Sequence, residues 1–233
     1  VWKHYYEYGN TFGFKPRFYL KNDELCLFDN PINSESKFFN YHLHLPKIQN
    51  FDFFYNKKFK KELLSFPYSI SILKNPKRNI SIIFWIFLSN IYKFFRKNNS
   101  DIEYKAKEII MNINLKWRLY LLDDDDTLIL FKKILEDYVE FSKQNNFKAI
   151  FILFPQKDDI LFIKSKYHFY RKLLNEISSI DDLCFIDILQ PLLKEKNINL
   201  FYPDDNPYGG HYSAEGNKKI SDIIYSEMIK LNL

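Results

Sequence analysis

The chain has 233 residues, 46% of them hydrophobic, which suits one sizeable domain or a core plus an insertion and excludes a disordered chain. Its formal net charge is +5, yet Lys greatly outnumbers Arg, and Lys57-Lys58, Lys60-Lys61 and Lys218-Lys219 are scattered among acids, so no nucleic-acid partner is expected. Lys, Asn, Ile, Phe and Tyr are abundant together, as in AT-rich coding sequences, which accounts for the 19% aromatic content without invoking base stacking.

Residues 1–14 are aromatic, with His4, Gly9 and Gly13, and show no clear period. The chain begins at Val1 rather than Met and shows no signal peptide, so a truncated start is the expectation. Arg17 to Phe28 reads as a β-hairpin with a four-residue loop, Lys21-Asn22-Asp23-Glu24, ended by Asn30-Pro31. Between Ser34 and Asn56 the pattern is irregular. His42 and His44 stand in a His-x-His pair with no carboxylate or cysteine cluster nearby, and read as a strand or loop feature. No metal or organic cofactor is implied, and no Cys-x-x-Cys supports a zinc or redox site. Cys26 and Cys184, far apart in apolar stretches, are expected to be buried free thiols.

Ser81 to Phe95 carries the longest apolar run, Ile82 to Leu88, too short for a bilayer span and interrupted by Ser89, Asn90 and Lys93. A buried helix is the first expectation. An interfacial helix, touching a membrane surface or partner through 82–95 with basic residues at both ends, is the second. Asp101 to Leu122 is a further helix. Asp123 to Asp126 stands where the next helix should start, so capping and the helix dipole explain four adjacent acids better than a metal does. That helix runs to about Lys143.

Lys148 to Phe154 is apolar on both faces, as a strand of a covered parallel sheet is. Pro155 ends it, Gln156-Lys157-Asp158-Asp159 begins a connection, Tyr167 to Ile177 is a helix, and Leu183 to Ile186 a second buried strand. This alternation from 125 to 230 argues for βαβ crossovers, whose chemistry collects at the carboxyl ends of the strands. Only two strands of such a sheet are evident.

The most informative stretch follows. Of the chain's five glycines, three fall at 209, 210 and 216, around His211, behind the acidic turn Asp204-Asp205-Asn206-Pro207. Glycine serves where the backbone needs φ > 0 or passes close to another group. Ser213 can cap a helix whose Ile220, Ile223, Ile224, Met228 and Leu231 recur at helical spacing. A histidine near a carboxylate supplies two members of an acid–base relay, and Asp205 or Asp204 can reach His211 through the turn. The plainer alternative is an ordinary turn followed by a surface or capping histidine.

Gly209-Gly210-His211-Tyr212-Ser213-Ala214-Glu215-Gly216-Asn217 before an amphipathic helix resembles the last conserved block of the SGNH/GDSL hydrolase family, in its polysaccharide-associated branch. Lys148 to Pro155 resembles the family's late parallel strand, and Leu183 to Asp187 its short final strand. Lys15-Pro16-Arg17-Phe18 and Leu25-Cys26-Leu27 faintly resemble an insertion of that branch. The resemblance implies a three-layer α/β/α fold with a parallel sheet, flavodoxin-like and N-terminally incomplete. Residues 1–122 would be a mostly helical insertion with a β-hairpin, and 123–233 the C-terminal α/β half. It implies His211 as catalytic base, with Asp205, or Asp204, orienting it. The family spaces its acid as Asp-x-x-His, and here Tyr208 holds that place.

No serine stands in Gly-Asp-Ser or Gly-x-Ser-x-Gly, so the family's nucleophile would precede Val1. Ser34-x-x-Lys37 and Ser71-x-x-Lys74 match a shorter nucleophile pattern without its surrounding motifs. The expected function is that of a serine esterase or acyltransferase on O-acyl, by resemblance O-acetyl, esters of a surface polysaccharide, with an acylated carbohydrate or small ester as partner. The alternative is a catalytically inactive α/β module that binds glycan or a membrane-associated partner. The compartment stays open between cell envelope and cytoplasm, and the oligomeric state is undetermined.

Overall fold

In the computed structural model, residues 17–62, 65–95, 100–203 and 208–232 are described, and the chain falls into two compact units, 1–114 and 115–233. The aromatic stretch 1–14, the Lys15-Pro16 resemblance and the acidic turn 204–207 lie outside the described residues.

The first unit opens with a β-hairpin, β1 (Arg17–Lys21) paired antiparallel to β2 (Glu24–Phe28). The connection is tighter than the four residues expected. Lys21 pairs with Glu24, and Asn22 and Asp23 alone make the turn, both at positive φ (51° and 64°). Asn and Asp tolerate that region, and two such residues match the right-handed twist of the strands. Phe28 stacks on Phe51 at 4.3 Å between centroids, and Arg17 pairs with Asp52 at 2.8 Å. Short helices follow: α1 (Glu35–Phe39), α2 (Leu45–Phe51), α3 (Lys60–Glu62) and α4 (Tyr68–Leu73). His42 lies in a 3-10 turn, Tyr41–Leu43, and His44 caps it. Next come α5 (Pro76–Phe94) and α6 (Ser100–Leu121), and the boundary between the units falls within α6. Residues 82–94 are helical as expected, but only Ile82 and Ser89 among them are buried, while Ile83, Phe84, Phe87 and Phe94 are exposed.

In the second unit α7 (Asp125–Gln144) starts as its acidic run implies. Asp124 accepts from the Thr127 N–H at 3.0 Å and the Thr127 hydroxyl at 2.6 Å, with Asp125 and Asp126 in the first turn. Its buried face is Leu128, Leu135 and Val139. β3 (Ile150–Leu153) pairs in parallel with β4 (Cys184–Asp187), Ile150 opposite Cys184 and Leu153 opposite Asp187. Between them lie α8 (Lys157–Ser165), within the segment read only as a connection, and α9 (Arg171–Ser178), shorter than the helix expected from Tyr167. After β4 come α10 (Leu189–Leu193), a 3-10 turn Ile198–Phe201, and α11 (Ala214–Lys230). Ile160, Ile186, Ile188, Leu189 and Leu192 form the fully buried centre of this unit. Each such side chain contributes roughly 1.5–3 kcal/mol by leaving water.

The three-layer α/β/α fold on an extended parallel sheet is corrected by this architecture. The protein is mostly helical, and the strands among the described residues form two separate two-stranded sheets. The cause lies in the sequence between Ser34 and Gln144, whose apolar pattern forms helices and, among the described residues, leaves no third strand for β3 and β4. Cys26 and Cys184 are free, as expected, but half-exposed rather than buried.

Gly216 sits in the first turn of α11, where the chain passes the 3-10 turn. A Cβ there would stand 2.2 Å from the Phe201 carbonyl oxygen. Gly→Ala in a helix ordinarily stabilises by up to about 1 kcal/mol, but here backbone blocks the added methyl. Gly216→Ala is expected to lower stability by about 1–3 kcal/mol, read as an earlier denaturation midpoint with an unchanged m-value. An unchanged or raised midpoint would show that the packing of α11 on this turn is not tight.

Candidate functional site

The segment around His211 is anchored to the carboxyl end of β3. Pro155, just past that strand, is buried, and its carbonyl accepts two phenolic hydroxyls, from Tyr202 at 3.0 Å and Tyr212 at 2.6 Å. Two donors fill both lone pairs of one buried carbonyl. Burial pushes the Tyr212 phenol up to about 12 and the Tyr202 phenol higher still, Tyr202 also through Tyr212 beside it. Both therefore remain protonated donors across the physiological range. The Lys157 N–H donates to the Gly209 carbonyl at 2.8 Å, so the first turn of α8 holds the loop from the other side. Gly209 takes φ +152°, a conformation that side chains disfavour. Ser213 caps α11, as read from the sequence, and also completes the clamp. Its hydroxyl donates to the Leu200 carbonyl at 2.7 Å and accepts from the Gly216 N–H at 3.0 Å, while its own N–H reaches the Phe201 carbonyl at 2.9 Å.

His211 lies between these anchors, with its side chain exposed. Among the described residues no carboxylate is hydrogen-bonded to it. Asp204 and Asp205, the acids read as its partners, lie outside the described residues. Ser34 caps α1 by accepting from the Lys37 N–H at 3.4 Å. Ser71 is buried and bonded to Ser65, donating to its carbonyl at 2.7 Å. Neither Ser-x-x-Lys serine is free of a structural bond.

Next to the anchored loop is a charged cluster that the sequence did not reveal. Asp158 and Asp159, in the first turn of α8, are both buried. Arg118 on α6 bonds to Asp158 through Nη2, and to Asp159 Oδ1 through Nε at 3.1 Å and Nη2 at 2.9 Å. The Tyr170 hydroxyl donates to Asp159 Oδ2 at 2.8 Å, and so does the Gln156 N–H at 3.0 Å, closing a capping box at the start of α8. Asp159 is thus satisfied on both oxygens. Asp158 is not: its Oδ1 is buried without a hydrogen-bond partner. Burial raises the Asp158 pKa above the ordinary carboxylate range, with the Arg118 charge opposing it. Burial alone would lower Arg118, and the two carboxylates outweigh it and raise it. Tyr170 is raised by burial and then by Asp159. An acid at the third helical position after a capping residue is a recognisable sequence signal, and Gln156 with Asp159 carries it. Arg118 and Tyr170, 41 and 11 residues from Asp159, carry none.

Asp187, at the carboxyl end of β4, accepts from the Leu189 N–H at 2.8 Å, and burial raises its pKa against that bond and against nearby His168. His168 in turn contacts the Gln190 amide at 3.1 Å. His168 also lines a groove of about 600 Å³ with Tyr120, Asp123, Tyr167, Arg171 and Lys172. His211 is not part of that groove's wall. Among the described residues no group of three or more His, Cys, Asp or Glu side chains is placed to hold a metal ion.

Neither a family model nor a solved structure matches the chain. The β subunit of DNA-directed RNA polymerase from Theileria parva is 27% identical over 177 residues, 72% of this chain and 15% of that subunit. The chain thus spans only 15% of the length of the curated relative it matches.

The ionic cluster makes a stability prediction with a defined sign in pH. A carboxyl whose folded pKa is raised stabilises the fold while protonated and loses that contribution as pH rises through the folded value. Arg118→Met removes the cation facing Asp158 and Asp159 and should destabilise the protein by about 3–5 kcal/mol at neutral pH. The deficit should shrink as pH falls and Asp158, its pKa raised by burial, takes up a proton. Urea denaturation of both proteins at acidic, neutral and alkaline pH measures it. A deficit independent of pH would mean that Arg118 acts by packing, not by charge.

Proposed function

We propose that residues 115–233 belong to an SGNH-type serine esterase or acyltransferase acting on O-acyl esters, by resemblance O-acetyl groups of a surface polysaccharide. The observation that supports this most is the double anchoring of the 208–213 loop at the carboxyl end of β3. The Tyr212 hydroxyl on the Pro155 carbonyl and the Lys157 N–H on the Gly209 carbonyl bracket His211, which remains open to solvent. A catalytic base must be held rigidly on its backbone while its ring reaches a substrate. This arrangement meets both demands.

In this reading His211 takes the proton of a serine Oγ as that oxygen attacks the acyl carbon. It then returns the proton to the leaving alcohol oxygen as the ester C–O bond breaks. Water or an acceptor hydroxyl, deprotonated by the same ring, attacks the acyl-serine, and the ring's proton goes to the serine Oγ as the acyl–Oγ bond breaks. Asp205, or Asp204, fixes the imidazole tautomer. The serine comes from residues outside 1–233, since no Gly-Asp-Ser block occurs within them. A binding module without catalysis is the rival reading. The exposed apolar residues of the first unit favour it, Phe66 at 86% and Phe94 at 82% exposure among them.

The gene product containing residues 1–233 is the protein to test, with a fluorophosphonate probe for an activated serine and a p-nitrophenyl ester for turnover. Labelling and turnover are expected, both reduced by His211→Ala by on the order of a thousandfold or more, with an unchanged circular-dichroism spectrum because the side chain is exposed. A gene product without a labelled serine, or turnover indifferent to His211→Ala, sinks the esterase reading in favour of the binding module.

A further inference from the structure

Helix α5 has its polarity reversed. Its buried residues are Arg78, Asn79, Ile82 and Ser89, three of them polar. Asn79 donates through Nδ2 to the Ser71 and Ile72 carbonyls, both at 3.3 Å, tying α5 to the end of α4. The outward stripe is apolar: Ile80, Ile83, Phe84, Phe87 and Phe94 are 56%, 44%, 52%, 61% and 82% exposed, at helical spacing. The neighbouring α4 segment adds Phe66, Tyr68, Ile70 and Leu73, each more than half exposed. Exposed apolar side chains in this number on two hydrogen-bonded helices mark an interaction site.

Charge says what covers it. None of the chain's 29 acidic residues falls between positions 63 and 100, while Lys74, Lys77, Arg78, Lys93, Arg96 and Lys97 do. Lys74 and Lys77 are exposed at one end of the stripe and Lys93 is exposed at the other. Protein interfaces carry polar rims of mixed character. A helix bearing Phe and Ile on one face, flanked by cations alone, has the composition of one that lies in the headgroup region of an anionic bilayer. Among the described residues no helix is long and apolar enough to cross a membrane. We propose that α4 and α5 form a peripheral docking surface for anionic lipid. Phe84, Phe87 and Phe94 enter the acyl boundary, and Lys74 and Lys77 meet phosphate groups. This surface is independent of any catalysis at His211.

Co-sedimentation of the 1–233 chain with vesicles tests it, using equal parts phosphatidylcholine and phosphatidylglycerol against phosphatidylcholine alone. Binding is expected to the anionic vesicles only, and to be lost when salt is raised to the order of 1 M. Lys74→Glu/Lys77→Glu should weaken it about tenfold or more, and Phe84→Glu/Phe87→Glu should abolish it. Tyr225→Glu, an exposed aromatic on α11, should leave it unchanged. All the altered side chains are exposed, and light scattering with circular dichroism reports whether each variant stays folded and monodisperse. Equal binding to both vesicle types overturns the proposal, as does no binding to either. A solution dimer that Phe84→Glu/Phe87→Glu dissociates also overturns it, because a second copy would then be the occupant.

Discussion

Arg118 brings one delocalised cation to two carboxylates at the start of α8, and the C-terminal unit is arranged around that ionic contact. Two buried acids at adjacent positions would repel each other and resist ionisation without it. With it, Asp159 can hold the capping box of α8 and receive Tyr170, which fixes the direction in which the chain leaves β3. The start of α8 in turn supplies the Lys157 N–H that holds Gly209. The position of the His211 loop therefore depends on a charge cluster that does not include His211. Planar guanidinium geometry suits this role, because one Arg reaches both acids at once.

The loop itself is shaped by close backbone approaches more than by side-chain packing. Tyr202 and Tyr212 converge on one carbonyl, and Gly216 lets α11 pass the Phe201 carbonyl. Such contacts leave little freedom for the backbone on either side of His211, while its ring faces water. A rigid support beneath an exposed titratable ring is what proton transfer needs, and it is equally compatible with a ring that only binds.

The first unit is built on a different balance. Its α5 spends buried positions on Arg78, Asn79 and Ser89 beside Ile82, and leaves Ile80, Ile83, Phe84, Phe87 and Phe94 outside. Burial lowers Arg78 to about 10, which still leaves it charged at neutral pH, so the cation is retained at a desolvation cost. A helix that keeps polar groups inside and apolar groups outside is stable in water only as long as its apolar face costs less than its polar ties return. A low-polarity surround on the outer face would remove that cost, which is how the proposed lipid contact bears on the energetics of this helix.

Local signals were legible in the sequence where a residue type has one job. Asp124 at the head of α7, Ser213 at the head of α11 and the glycines about His211 stand as read, and both strands lie where they were read, although the first covers only Ile150–Leu153 of Lys148 to Phe154. Capping, strand position and positive φ are settled by neighbours within a few residues. The three-layer sheet was not legible, because it was inferred from two strands and a family likeness, and sheet size depends on which distant segments supply further strands. Nor was the Arg118–Asp158–Asp159–Tyr170 cluster, whose members are brought together only by the packing of α6, α8 and the start of α9. The run 82–94 shows the division most plainly. Its sequence was read as a helix in either setting, buried or interfacial. Only the tertiary structure decided which face turned outward, because Asn79 and Ser71 bond across the helix pair and fix its rotation.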